Sequence, residues 1–424
     1  MVQVNKYNWN ATPTLDEHSK IKHKIYSQYI TAYIDTLMSN YNIPQMEFSI
    51  VDGFSGGGMY QDSITAKECY GSPIVVLDAV HSGRVLVNVN RQKLREVKAN
   101  YFFVDNDKQA IETLKATIST LANERVHYNQ DLPNIHIYKD NFEDRLDYLI
   151  NAINLKTKSR GKAIFLLDQY GYGKATVKSL KKILTKVSKS EVILTFNIDS
   201  VYRYFSEKDE FKVSLVNLGI SDYINWKQYK ELKKSNNRQN IKRFIQREVS
   251  KAIRDATEAR YMTLFFVKPL SLKESGYWLI HLSNSYKAHD VMKSIHWDNA
   301  TYFDHELEHG MFEFGYETNR DDDSIFNTLP FDFDDKSEKS CVEAIHEDFA
   351  KLIYKNGDTR VQTLFENTVT FTPASERQLH QSVRLLHERN EIEVFNKEGK
   401  SRRVCKAYHK DDVIILPKQI GIIF

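Results

Sequence analysis

Four glycines, Gly53, Gly56, Gly57 and Gly58, fall within six consecutive positions of a 424-residue chain that holds only 16 glycines. They follow Phe48-Ser-Ile-Val-Asp52, a short apolar run rich in β-formers, so a strand runs directly into a glycine turn. Glycine is needed where the backbone passes too close to a ligand for a Cβ, or where φ is positive. No Gly-Lys-Ser/Thr follows, and the spacing departs from G-x-G-x-x-G, so neither a Walker loop nor a nicotinamide site is indicated. Three later apolar runs also end in polar residues. Asp105 follows Tyr101-Phe-Phe-Val104, Asp140-Asn141 follows Ile135 to Tyr138, and Asp168-Gln169-Tyr170-Gly171 follows Ala163 to Leu167. At a strand end, Asp105 can accept hydrogen bonds from ribose hydroxyls, and Asp140 or Asn141 can meet the edge of an adenine. Each acid alone is equally well a helix N-cap. Together, on one sheet edge, they form a coherent nucleoside site.

The elements that must position these residues alternate. Apolar residues from Ile21 to Leu37 keep the spacing of one helical face and place a helix over Leu15 to Met38. Strands at 46–52, 101–105, 135–138, 163–168 and 192–197 are separated by helical stretches at 109–121, 142–153 and 177–187. Such alternation predicts a parallel sheet covered on both faces. Two further strands, 264–267 and 276–282, close the sheet with a hairpin. Between them and Asn197 lies a helical insertion, about 205–260. Its segment from Lys227 to Arg260 has eleven basic residues against four acidic ones, a local excess of +7.

A polar, acidic connector over 301–337 separates this first domain, 1–300, from a tail over 338–424. The tail reads as helices at 340–354, 360–366 and 374–389, then strands at 392–395 and 404–408 around a basic tip. Helices followed by a basic hairpin fit a winged helix. Arg377, His380, Arg384 and His387 recur at helical spacing, and Lys397, Lys400, Arg402 and Arg403 mark the wing, which predicts a nucleic-acid surface. A solvated charged face explains the same residues equally well.

Composition bounds the rest. The chain is 41% hydrophobic and 27% charged, with 59 basic and 56 acidic residues for a net charge of +3, so bulk charge does not announce a nucleic-acid binder. No apolar run approaches the roughly 18 residues of a membrane span and the N-terminus lacks a signal-like stretch, so a cytoplasmic protein without membrane contact is expected. Cys69, Cys341 and Cys405 are widely separated, which suggests neither a disulfide framework nor a thiolate zinc site. His305-Glu-Leu-Glu-His309 spells H-E-x-x-H, but Gly310 follows and the flanks lack helical periodicity, so no metal site is expected there.

The ordered motifs resemble the S-adenosylmethionine-dependent methyltransferase fold, and more narrowly the three-Cys-motif partner family. The matching residues are His18-Ser-Lys-Ile-Lys22-His23, Val51-Asp52-Gly53-Phe54-Ser-Gly56-Gly-Gly58-Met-Tyr60 and Gly71-Ser-Pro-Ile74. Further matches are Phe102-Phe-Val-Asp105, Asp140-Asn141-Phe142, Leu166-Leu-Asp168 with Gly171-Tyr172, Phe196-Asn197 with Tyr202-Arg203, and Gly276-Tyr-Trp-Leu-Ile280 with Met292. The helix and loop are also similar to a ribosomal-RNA adenine methyltransferase family, in which a Lys-His pair precedes an Asp-x-x-x-Gly-x-Gly-x-Tyr turn.

The resemblance implies a Rossmann-like class I methyltransferase sheet and S-adenosylmethionine as cofactor, held by Asp52, Gly53, Phe54, Gly56, Gly58, Tyr60, Asp105, Asp140 and Asn141. It implies methyl transfer to a nucleic-acid base, on an exocyclic amine, with Asp168, Gln169 and Tyr170 as the catalytic loop. Such enzymes hold the amine with an Asp/Asn-Pro-Pro-Tyr/Phe loop whose aromatic ring stacks on a flipped base. Gln169 stands where that loop has proline, and the loop is one residue shorter. A different acceptor, an altered loop with the same chemistry and a sheet that binds cofactor without catalysing all remain open. His18, Lys22, Arg203, Arg243 and Arg247 join the tail residues as candidate nucleic-acid contacts. A partner protein carrying the three cysteines and a bacterial, phage-defence setting are further implications of the same resemblance.

Overall fold

The computed structural model describes residues 9, 11–156, 161–168, 174–198, 201, 205, 209–234, 237–267, 277–299, 303–305, 331–332 and 335–417. It divides into two compact units, Met1–Ile295 and His296–Phe424.

The first unit opens with β1 (Thr14–Leu15) and α1 (Glu17–Leu37), which is capped by the Asp16 carboxylate accepting from the Ser19 N–H. Then follow β2 (Gln45–Asp52), β3 (Met59–Asp62), β4 (Glu68–Tyr70), α2 (Ser72–Leu86), β5 (Glu96–Asp105) and α3 (Lys108–Glu124). The chain continues with β6 (Ile135–Lys139), α4 (Phe142–Lys156), β7 (Lys162–Leu167), α5 (Val177–Lys186) and β8 (Lys189–Phe196). The insertion holds α6 (Asp209–Leu218), α7 (Trp226–Lys234) and α8 (Arg238–Thr257). The unit ends with β9 (Tyr261–Val267), β10 (Tyr277–Ser283) and α9 (Tyr286–Asp298), whose last turn passes into the second unit.

Within the first unit the central sheet has seven strands in the order β9-β10-β8-β7-β2-β5-β6. The strands β2, β5, β6, β7 and β8 pair in parallel, and β10 runs antiparallel between β8 and β9. This is the Rossmann-like methyltransferase sheet with the helical insertion expected from the sequence. Its middle strands are apolar on both faces: Phe48, Ile50, Val51, Ile164, Phe165 and Leu167 are all fully buried, as a sheet covered by helices on each side requires. After β2 the chain moves outward through β5 and β6, then crosses back to β7 on the other side of β2. That reversal opens a crevice at the carboxyl ends of β2 and β7, which is where open α/β sheets take ligands.

Sequence periodicity did not resolve α2, whose apolar residues run nearly all round, or the small sheet in which β3 pairs with β1 and β4. The small sheet follows the glycine turn and returns the chain to Gly71, whose N–H donates to the Gly58 carbonyl at 2.9 Å.

One buried ion pair fixes the outer side of this unit. Arg84 of α2 meets Asp131 in two bonds of 2.6 and 2.7 Å, and the Tyr101 hydroxyl donates to the same carboxylate at 3.0 Å. Asp131 is 2% exposed, so removing its charge leaves the guanidinium largely dehydrated without a counter-ion. Asp131→Ala is expected to cost about 3 kcal/mol, measured as a lower denaturant midpoint at unchanged slope.

The second unit contains β11 (Phe303–His305) paired with β12 (Phe331–Asp332), then α10 (Asp335–Asn356), β13 (Thr359–Arg360) and α11 (Val361–Thr368). It ends with α12 (Glu376–Glu388), β14 (Glu393–Phe395) and β15 (Val413–Ile415). Strands β13, β15 and β14 form an antiparallel sheet behind the three helices. The strand expected at 404–408 is absent. The buried Asp412 instead accepts from the Arg402 guanidinium and the His409 N–H, so the chain makes an exposed excursion and returns to the sheet at Val413. His305 lies at the end of a strand, opposite Phe331, and a zinc-binding H-E-x-x-H needs both histidines on one helical face. The rest of that segment, and most of the acidic connector, lie outside the described residues. No helix among the described residues is long and apolar enough to cross a membrane.

Candidate functional site

The glycine turn sits at the mouth of the crevice and is tied to both neighbouring strands. Gly53 donates to the Leu166 carbonyl of β7 at 3.0 Å, and Ser55 donates to the Val104 carbonyl of β5 at 3.0 Å. Gly56 has φ of +61° and Gly58 of +75°, conformations costly for any residue with a side chain. A Cβ on Gly53 would stand 2.8 Å from both Leu167 and Phe142, so the turn can lie this low only because it is glycine. The Gly56 N–H donates to Asp105 Oδ2 at 2.9 Å, and the Asp107 N–H to Asp105 Oδ1 at 2.9 Å. Asp105 therefore fixes the turn while keeping a free lone pair on each oxygen. Burial pushes its carboxyl above the ordinary range, and the two N–H donors pull it partly back.

Asp140 and Asn141 lie beside it at the end of β6. Arg145 pairs with Asp140 at 2.8 Å, and Asn141 bonds Asn106 at 3.3 Å and Asp144 at 3.0 Å. Phe54 packs on Phe142, with ring centroids 5.9 Å apart. Tyr60 is buried and meets Trp9 edge to face at 5.2 Å, and a Cβ on Gly57 would overlap the Trp9 ring. Tyr60 and Trp9 thus lie against the turn itself.

Asp52, the last residue of β2, is 1% exposed. Its Oδ1 accepts from the Phe54 N–H at 3.2 Å, whereas Oδ2 has no hydrogen-bond partner. Burial raises its pKa to about 7; the Ser72 hydroxyl, the Phe54 N–H and Lys22 oppose the rise, and Asp168 adds to it. The Ser55 hydroxyl beside it is likewise buried without a partner. Buried oxygens without partners occur elsewhere among the described residues, at Tyr26 and Ser49 for example, and two of them line this one turn.

On the other side of the switch point, Asp168 follows β7 and accepts from the Lys22 ammonium of α1. The side chain of Lys22 is 5% exposed and that of Asp168 is 40% exposed, so the amine is held from below while the carboxylate faces outward. Lys22, expected on the nucleic-acid surface, is therefore a buried part of the site. His23 beside it is driven down to about 3, first by burial and then by Lys22, and is neutral at physiological pH. Tyr26 and Tyr277 are buried near the same carboxylate, and burial together with Asp168 pushes both phenols well up. The sequence offered the Lys22-His23 pair only as part of a resemblance. That Lys22 meets an acid 146 residues away follows from the packing of α1 on the sheet, where Tyr29 bonds Glu191 of β8 and Tyr33 packs on Phe48 of β2.

Other expected residues are placed elsewhere or not described. Gln169, Tyr170 and Arg203 lie outside the described residues, and only the helical backbone of His18 and Arg243 is described. Arg247 packs its guanidinium over Phe244, 6.0 Å from the ring centroid, in the insertion. In the second unit, Arg377 pairs with Glu338 at 3.1 Å, Arg384 with Glu388 at 2.7 Å and Arg402 with Asp412 at 2.8 Å. His380 and His387, predicted on the same outward face, turn toward Tyr408: His380 Nδ1 accepts its N–H at 3.3 Å, and His387 Nδ1 meets its hydroxyl at 2.9 Å. Lys400 and Arg403 are exposed.

Comparison with known proteins gives one family match, to the GMT-like wHTH domain over residues 315–399. No curated protein matches the chain by sequence. Among solved structures, a Legionella pneumophila protein of family DUF519 is 11% identical, covers 66% of this chain and 91% of its own, and has a TM-score of 0.37. An rRNA methylase from Streptococcus thermophilus is 11% identical over 63% of this chain and 97% of its own, with a TM-score of 0.25. The plantazolicin methyltransferase BpumL, in complex with SAH, is 10% identical over 63% and 86%, with a TM-score of 0.27. These likenesses are distant, and the fold rests on the strand order of the chain itself. Residues 315–399 are similar to the GMT-like wHTH domain, and the first unit has the Rossmann-like sheet of methyltransferases.

Proposed function

We propose that this protein transfers a methyl group from S-adenosylmethionine to a nitrogen of a nucleic-acid base. The observation that carries the reading is the placement of Asp168, backed by a buried lysine, across the switch point from a glycine turn that opens on two buried oxygens, Asp52 Oδ2 and Ser55 Oγ, without partners. The residues fit the cofactor. Gly53 to Gly58 form the turn that its methionine end would meet once Trp9 and Tyr60 move off it, Asp52 Oδ2 and Ser55 Oγ offer acceptors to its ammonium, Asp105 has lone pairs for the ribose, and Asp140 and Asn141 edge the adenine. When bound, S-adenosylmethionine supplies a methyl group activated by the sulfonium charge.

The chain's own residues do the rest by alignment and charge. Lys22 stabilises the ionised form of Asp168 and fixes its direction. Asp168 accepts an N–H of the substrate amine and so turns the nitrogen lone pair toward the crevice. Tyr170 is proposed to stack on the base and Gln169 to complete the loop. Incorporation of tritium from labelled cofactor into mixed RNA and DNA tests the reaction, and no incorporation by protein that binds the cofactor would sink it.

A second reading, a methyltransferase-shaped subunit that binds nucleic acid without catalysis, is favoured by Trp9 and Tyr60 lying against the glycine turn. Calorimetry separates the two, because a covered turn binds no cofactor. The partner protein implied by the family resemblance belongs to this same proposal and is tested by co-purification with the full chain.

Asp52 gives the reading a pH signature. Its folded pKa of about 7 lies above the ordinary 3.8, so the fold retains a proton that the unfolded chain gives up. Stability from this group is therefore full below about pH 4 and is lost as pH rises to about 7, by at most on the order of 4 kcal/mol. A cationic ligand favours the ionised form, so thermal stabilisation by cofactor is expected to grow between pH 6 and 8. Asp52→Asn is expected to flatten that dependence and to raise the melting temperature of the free protein at pH 8. An unchanged slope in the variant would remove Asp52 from the site.

A further inference from the structure

In most winged helices the last helix of the triad offers cations or polar groups to base edges. Here α12 offers no net charge. Along it Arg377 and Arg384 are balanced by Glu376 and Glu388, Arg377 and Gln381 are exposed and Arg384 is half-buried, and both arginines are paired with acids. Its two histidines are turned into the domain by Tyr408. The positive charge of this unit lies instead on the wing and the excursion that follows it. Between Asn396 and Lys410 there are six basic residues and one acidic residue, Glu398.

Arg402 is committed to the buried Asp412, and Lys400 lies 3.9 Å from Glu398. Lys397, Arg403, Lys406 and Lys410 are exposed and form no ion pair among the described residues. The tip is built for presentation. The Asn396 side chain accepts the N–H groups of Glu398 and Lys400 at 3.0 and 2.9 Å, and Gly399 turns the chain at φ of +77°. A groove lies between this tip and the exposed Arg360, lined by Phe395, Val413 and Ile415, with Asp411 as its one acidic residue.

We propose that this unit holds nucleic acid by its phosphate backbone, through Lys397, Lys400, Arg403, Lys406 and Lys410 with Arg360 across the groove, and does not read bases with α12. The proposal rests on the nucleic-acid substrate of the reading above and names the surface and manner of binding. Exposed cations, all but Lys400 without an ion pair among the described residues, match a polyanion, and a helix face whose cations are already neutralised gives little direct readout. Binding of this kind is steep in salt and tolerant of sequence.

The test uses the full chain and fluorescence anisotropy with random-sequence single-stranded RNA, single-stranded DNA and duplex DNA over a series of salt concentrations. Lys397→Glu/Lys400→Glu/Arg403→Glu is expected to weaken binding at least about 30-fold and to lower the salt slope by about 2 to 3, at 0.7 to 0.9 per phosphate contact. Arg377→Ala/Gln381→Ala is expected to change it less than threefold. Which polymer binds more tightly identifies the natural one, and either result agrees with the proposal. Near-wild-type binding by the wing variant, dominant loss in the helix variant, or no binding to any of the three polymers at low salt overturns it. Cofactor titration on the same samples keeps the readings apart: a wing variant that binds cofactor normally shows that the first unit is folded, and failure of cofactor binding in the wild type strikes the methyl-transfer reading alone.

Discussion

Asp168→Asn is expected to cut methyl transfer by about 10³-fold while leaving cofactor affinity within about threefold. The amide still accepts a hydrogen bond, but it no longer carries the charge that draws the substrate amine into line, and losing one preorganised electrostatic contact of this kind costs about 10² to 10³. The substitution also strands the Lys22 ammonium, whose side chain is 5% exposed. A loss of about 2 kcal/mol in stability is expected, less than for a fully buried pair because Asp168 is 40% exposed. Lys22→Met adds the needed control. The double variant removes both charges and should recover much of the stability without recovering turnover, because the two residues are coupled through one contact. If instead the double variant regained activity with its stability, Asp168 would be a packing residue only. Single-turnover methyl transfer, cofactor calorimetry and denaturant unfolding on the three proteins measure all of these quantities.

Gly56→Ala is expected to lower cofactor affinity by about 100-fold and stability by about 2 kcal/mol. At φ of +61° an alanine pays the left-handed penalty of roughly 1 to 2 kcal/mol. Its Cβ would also overlap the Tyr60 hydroxyl and stand 3.1 Å from the Trp9 ring. Tyr60 is buried, so the backbone must shift instead, and the shift loosens the Gly56 to Asp105 bond that sets the turn. The effect on affinity should exceed the effect on stability, since the turn lies at the proposed cofactor site whereas the sheet beneath it is unaffected. Isothermal titration with S-adenosylmethionine beside a thermal melt checks the comparison. Equal affinity in the variant and the wild type would remove the turn from the cofactor site.

The sequence was informative where the chemistry is local. A run such as Phe48 to Asp52 ending in four glycines states both a buried strand and a low turn, because apolar continuity and the missing Cβ are properties of neighbours along the chain. Asp105 and Asp168 were legible for the same reason, each being the first polar residue after an apolar run, and Asp140 follows its strand one residue later, after Lys139. Helix α2 was not, because its apolar residues extend nearly all round and periodicity had no polar face to contrast.

Composition placed the basic tip at Lys397 to Arg403 but could not say which cations were spent. Arg377, Arg384 and Arg402 read as free positive charge until Glu338, Glu388 and Asp412 are seen beside them. The same limit governs the site. Lys22 reads as an exposed cation on a helix, and only the packing of α1 on the sheet makes it the buried partner of Asp168. Strands, turns and local charge thus follow from the order of residues, whereas the burial of a charge and the identity of its counter-ion depend on groups brought together from far along the chain, and those only the tertiary structure decides.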